Sequence, residues 1–172
     1  MSRPFQFKGK LIKVVTQTRR LPNGRWAHLE IVQHPGAVLI VPFLEPDRLI
    51  MLHQFRPVLN TYLYELPAGT LNPGERPLTC AARELIEETG YFAKKLTGIG
   101  KIFPVPGYST EMITVFKAEK LKVVDHSSGL PKDPDEVIKV CPMTRTQIKG
   151  LFRRGRMNDA KTICALALCG IL

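Results

Sequence analysis

Three glutamates, Glu84, Glu87 and Glu88, stand at helical spacing just before a glycine, and that concentration of like charge constrains the chain more than any other stretch. They close the segment from Gly69 to Tyr91, GTLNPGERPLTCAARELIEETGY, which reads as a loop leading into one helix. Pro77 suits the first turn, and Gly90 suits a left-handed stop just past the last one. Leu78, Ala81, Ala82, Leu85 and Ile86 fall at i, i+3, i+4, i+7 and i+8, one apolar stripe for packing. The glutamates are neighbours on another face, where each like-charged pair costs roughly 0.2–0.5 kcal/mol. The negative end of the helix dipole adds to that cost, so something cationic must compensate. Arg83, Lys94 and Lys95 offer one answer, which leaves a solvated acidic face. A hard divalent cation offers the other, because it prefers carboxylate oxygens and keeps water and substrate phosphate as further ligands.

A chain of 172 residues with 44% hydrophobic and 23% charged residues is long enough for one domain with a sizeable core. No apolar run approaches the ~18–20 residues that span a bilayer, and Met1-Ser2-Arg3-Pro4 leads into no signal-like stretch, so a cytoplasmic location is expected. Cys80, Cys141, Cys164 and Cys169 lack CxxC spacing and read as reduced, buried thiols. The net charge of +10 suggests anionic partners. Yet Arg19-Arg20, Lys94-Lys95 and Arg153-Arg154-Arg156 are far apart and carry no interleaved aromatics. They read as surface with a general attraction for anionic substrates rather than as a nucleic-acid site.

Along the chain, Lys8 to Arg20 and Gly24 to Gln33 read as strands around Asn23-Gly24, a hairpin signal. Such a ribbon is marginal alone and needs a partner. Gly36 to Leu44 reads as a strand buried on both faces, and Arg48 to Phe55 and Tyr62 to Ala68 read as further strands. After the helix, Thr97 to Phe103 and Glu111 to Ala118 read as strands, separated by a segment too rich in proline for a central strand. A polar loop, His126 to Glu136, precedes a last strand, Val137 to Cys141. Helices follow over Thr144 to Phe152 and Asn158 to Leu168, the second with Ile163, Leu166 and Ala167 on its apolar face and Asn158 or Asp159 as cap. Strands and helices mix without strict alternation, which fits an α+β sandwich.

The run Gly69, Glu75, Arg83-Glu84-Leu85-Ile86-Glu87-Glu88-Thr89-Gly90-Tyr91 resembles the box of the Nudix hydrolases, with Tyr91 in a slot that is usually aliphatic. His53-Gln54-Phe55-Arg56-Pro57 and Tyr64-Glu65-Leu66-Pro67-Ala68-Gly69 resemble segments of the ADP-ribose pyrophosphatase and nucleoside diphosphate sugar hydrolase branch. So do the loop from Phe103 to Glu111, with Pro106 fifteen residues past Tyr91, and the helix start Asn158-Asp159-Ala160-Lys161-Thr162. The resemblance implies a Nudix α/β/α sandwich with a mixed sheet, preceded by a small N-terminal antiparallel sheet. Residues 1–35 are then an extension that serves dimerisation, and residues 36–172 the hydrolase domain of a homodimer.

The implied activity is metal-dependent hydrolysis of the pyrophosphate bond of ADP-ribose or related sugars, with magnesium or manganese. GDP-mannose, dinucleoside polyphosphates and capped RNA are alternative substrates, and a non-catalytic ADP-ribose-binding module is a reading of a different class. Glu84 and Glu88, one turn apart, are the first choice for metal ligands, with Glu87 sharing or supporting and the Ala68 carbonyl added by resemblance. Arg83 holds a box carboxylate in place, and Glu75 would serve as its partner. The general base lies among Asp133, Asp135 and Glu136, with Glu136 favoured for its reach; solvated turn residues are the competing reading. Arg56 is a planar fork for the diphosphate, Glu111 an acceptor for sugar hydroxyls, and Ser109 belongs to the same loop. Trp26 either stacks on the nucleobase across a dimer interface or packs within the hairpin. The four histidines are assigned no chemistry.

Overall fold

The computed structural model describes residues 6–9, 11–124 and 137–172. In chain order the strands are β1 (Gln6–Lys8), β2 (Lys13–Arg20), β3 (Trp26–Gln33), β4 (Ala37–Glu45), β5 (Arg48–Arg56), β6 (Thr61–Glu65) and β7 (Ala68–Thr70). After helix α1 (Pro77–Thr89) come β8 (Tyr91–Ile102), β9 (Ile113–Val123) and β10 (Ile138–Thr144), and then helices α2 (Arg145–Arg153) and α3 (Ala160–Leu168).

The continuous apolar run of β4 puts it at the centre. Val38, Leu39, Ile40 and Val41 have no solvent exposure, as expected of a strand covered on both faces. It pairs in parallel with β9, from Ala37 opposite Ile113 to Pro42 opposite Ala118. It pairs antiparallel with β5 across a tight turn and with β7, where Val38 faces Gly69. The seven-stranded mixed sheet has the order β10-β5-β4-β9-β8, with β6 on β5 and β7 on β4. Alternate residues divide between two cores. Leu39, Val41 and Phe43 pack with Ile148, Leu151, Ala165 and Leu166 of α2 and α3. Val38 and Ile40 pack with Cys80, Ala81 and Leu85 of α1 on the other face. The result is the helix–sheet–helix layering that the sequence predicts.

Helix α1 starts at Pro77 and stops at Gly90, whose φ of 75° lets its N–H reach the Ile86 carbonyl at 2.8 Å. Its inward face differs from the expected stripe. Leu78 is exposed, whereas Cys80, Ala81, Leu85, Glu88 and Thr89 are buried. The helix is rolled so that its carboxylate edge, rather than Leu78, meets β7. In α3, Asp159 Oδ2 caps the Thr162 N–H at 3.1 Å, and Thr162, Ala165 and Leu166 are buried. Ala167 is exposed, contrary to expectation. The cysteines are free, but Cys80 alone is fully buried and Cys164 is exposed, so the expectation of uniformly buried thiols fails on α3's outer side.

Strands β8 and β9 are longer than predicted, because Lys94-Lys95 and the residues after Ala118 form a polar ribbon with Tyr91 opposite Val123. The N-terminal sheet, β1-β2-β3, is separate. Its hairpin turn spans Leu21 to Gly24, closed by a 2.9 Å bond from the Gly24 N–H to the Leu21 carbonyl, with Gly24 at φ 81°. Asn23-Gly24 thus ends a longer loop instead of forming a two-residue turn. The sheet is tied down where Val32 exchanges bonds with the Tyr108 carbonyl and the Thr110 N–H, at 2.8 and 3.0 Å. Among the described residues no helix is long and apolar enough to cross a membrane.

The join between β6 and β7 depends on α3: the buried Thr162 hydroxyl accepts the Leu66 N–H at 2.9 Å. Thr162→Val keeps the shape and strands that N–H, so we expect a loss of about 1–3 kcal/mol in urea unfolding. Unchanged stability would mean that water reaches Leu66.

Candidate functional site

The acidic end of α1 faces the backbone of β7, and that approach is possible only at glycine. A Cβ on Gly69 would lie 1.9 Å from the Glu84 carboxylate carbon. One residue earlier, the Ala68 N–H donates to Glu88 Oε2 at 2.9 Å, and Glu88 is buried. Two of the three box glutamates are therefore seated on one short strand.

Arg83 gathers Glu75, Glu84 and Glu87. Its Nε and Nη2 donate to the two oxygens of Glu75, both at 3.0 Å. Its Nη1 lies between Glu84 Oε1 at 2.6 Å and Glu87 Oε2 at 2.9 Å, and Nη2 also reaches the Thr70 carbonyl at 3.4 Å. The Arg83 hydrogen bond holds the Glu75 carboxyl down to about 2, and the same bond raises Arg83. Burial pushes the adjacent Cys80 thiol up to about 12, so it packs as an inert small group. Four carboxylates and one guanidinium thus share the end of α1.

Among the described residues no three His, Cys, Asp or Glu side chains form a complete metal cage. The donor chemistry nonetheless fits a hard divalent ion. All the side-chain donors are carboxylate oxygens, and Gly69 leaves a cradle that a side chain would fill. Such ions commonly take one or two carboxylates and complete their shell with water and substrate oxygens.

Beside this group lies a second ionic cluster. Arg56 Nε and Nη2 grip both oxygens of Glu65 at 2.7 Å. Lys161 also bonds Glu65 Oε2, and its ammonium is held by Asp159 Oδ1 at 2.8 Å. Glu65 is only 1% exposed; burial pushes its carboxyl up, but Arg56 and Lys161 outweigh that and lower it. The bond to Glu65 raises Arg56, which also feels Glu88. Sequence reasoning chose Arg56 and missed Glu65, Asp159 and Lys161. A glutamate at an inward position of a strand was the available signal, because a buried carboxylate requires partners.

The remaining candidates lie apart. Ser109 Oγ accepts the Glu111 N–H at 3.1 Å, in the loop docked on β3. Trp26 is 67% exposed and stands opposite Arg20 at the turn end of the ribbon. Asp133, Asp135 and Glu136 lie outside the described residues.

A family model described as NUDIX domain matches residues 33–166. An ADP-ribose pyrophosphatase of Bacillus subtilis (strain 168) is 41% identical over 160 residues, 93% of this chain and 85% of the relative. A methanol dehydrogenase activator of Bacillus methanolicus is 33% identical over the same shares of the two chains. A solved structure of an ADP compounds hydrolase superposes with a TM-score of 0.78 at 24% identity, covering 98% of this chain and 93% of that one, and so shares its fold.

The Glu65 cluster makes a pH prediction. Its carboxyl lies below the ordinary 4.5 in the folded chain, so its stabilisation is full above that value and is lost as pH falls through the lowered one. Glu65→Gln should cost about 3 kcal/mol at pH 7, with the gap to the parent narrowing below pH 4.5 in denaturant titrations. A gap independent of pH would exclude the ionised pair.

Proposed function

The chain belongs to the NUDIX domain family, and we propose from that premise that it hydrolyses the pyrophosphate bond of ADP-ribose and related nucleoside diphosphate sugars. The products are a nucleoside monophosphate and a sugar phosphate. The observation that carries this reading is the seating of Glu84 and Glu88 on β7 with Arg83 spanning Glu75, Glu84 and Glu87. A binding module for the same ligand would not need to concentrate so much like charge.

In this reading Glu84 and Glu88, with the Ala68 carbonyl, hold a divalent cation, magnesium or manganese. When bound, such an ion neutralises phosphate oxygens and makes water a stronger acid. Glu87 and Arg83 keep the carboxylates aligned. Arg56, its plane fixed by Glu65, meets the diphosphate with its remaining edge. Glu111 and Ser109 accept and donate at sugar hydroxyls, and Trp26 supplies a face for the nucleobase from the other subunit of a homodimer built through residues 1–35. That role suits a tryptophan left exposed on its own ribbon. Glu136 takes the proton of the attacking water. The free thiols accord with a cytoplasmic setting.

Product release should be measured on ADP-ribose, GDP-mannose, UDP-glucose, diadenosine polyphosphates and capped RNA, with magnesium and with chelator. We expect magnesium-dependent release of phosphomonoesters from ADP-ribose, abolished by chelator. Ligand binding tightened by magnesium without product would establish a sensor instead.

The base has its own test. Glu136→Gln should lower kcat by about 100- to 10,000-fold with KM little changed. Near-normal turnover would remove Glu136 from that role.

A further inference from the structure

A cavity of about 420 Å³ lies where β4 ends, between Phe43, Lys95, Lys117, Lys120 and Arg145, with Glu45 and Glu119 on its wall. It is remote from the box carboxylates. Gly69 is opposite Val38, five residues back along β4 from Phe43, roughly 16 Å at strand rise. The two sites also use opposite faces of the sheet, since Val38 packs towards α1 and Phe43 towards α2 and α3.

The cavity's cations exceed its acids. Glu119 holds Lys117 at 2.7 Å and Lys95 at 3.2 Å, whereas no described carboxylate forms an ion pair with Lys120 or Arg145. The Arg145 guanidinium and the Lys117 ammonium lie over the Phe43 ring, at 5.6 and 4.9 Å from its centre. This leaves Arg145 Nε buried with no hydrogen-bond partner among the described residues. Buried donors of this kind are rare and ask for an acceptor. Lys120 adopts φ 57° inside β9, a conformation disfavoured for a residue with a side chain. The volume falls within the range of small-molecule sites.

We propose that this cavity binds the phosphate group of a small phosphomonoester, with Arg145, Lys120 and Lys117 as donors. Guanidinium and ammonium groups are the usual partners of a phosphate dianion. The inference does not depend on which substrate the box cleaves.

Calorimetry on the full chain in chelator, with inorganic phosphate, ribose 5-phosphate and AMP, tests it. We expect saturable binding that Lys117→Gln combined with Lys120→Asn weakens by about tenfold or more, with turnover at the box unchanged. Arg145→Gln should weaken it in the same way, and its melting temperature reports whether the fold survives. Tighter binding of the organic phosphates would identify a phosphomonoester as ligand, and equal binding of inorganic phosphate would identify the bare anion, both on the same site. Binding that is absent, that chloride reproduces, or that persists in the double variant would overturn the proposal.

Discussion

Like-charge repulsion at the end of α1 is the constraint around which the chain is built. Glu84, Glu87 and Glu88 sit where the helix dipole is least hospitable to carboxylates. Two devices hold them there. Arg83 distributes one guanidinium over Glu75, Glu84 and Glu87, and the backbone of β7 supplies the Ala68 N–H to Glu88. Both require α1 to lie against β7 at the distance that a glycine permits. The left-handed Gly90 then turns the chain directly into β8. Roll, cap and strand pairing of this region therefore follow from where the carboxylates must be.

That coupling explains what was legible in the residues and what was not. Proline at the first turn, glycine at the stop and the unbroken apolar run of β4 are local signals, and each fixed an element close to its observed bounds. The roll of α1 is not local. Leu78 belongs to the apolar stripe by periodicity, but the pull of Gly69 and Ala68 on the carboxylate edge outweighs burial of one leucine. The lengths of β8 and β9 were hidden similarly, because a polar ribbon paired along its edge has no hydrophobic alternation to announce it. Within the site, the box spelled out Glu84, Glu87, Glu88 and Arg83. Glu65 drew no attention, since its partners Arg56 and Lys161 lie nine and 96 residues away.

The two ionic clusters differ in physical character, and the difference bears on what each can do. Glu65 of β6 is buried and satisfied by Arg56 of β5 and Lys161 of α3, so its charge is internally balanced. Removing one partner would leave a buried charge uncompensated, which makes this cluster a fixed wall. The α1 cluster is the opposite case: three carboxylates share the Arg83 guanidinium, Glu88 takes the Ala68 N–H, and Glu87 stays partly open to solvent. Four carboxylates crowded at one helix end and partly seated on backbone suit a hard divalent cation, which takes carboxylate oxygens. Setting the balanced cluster beside the unbalanced one places a rigid, positively edged arginine next to a site that gathers positive charge. In the proposed reading, a pyrophosphate, which presents several oxygens at once, would engage both, and the contrast in charge balance would orient it.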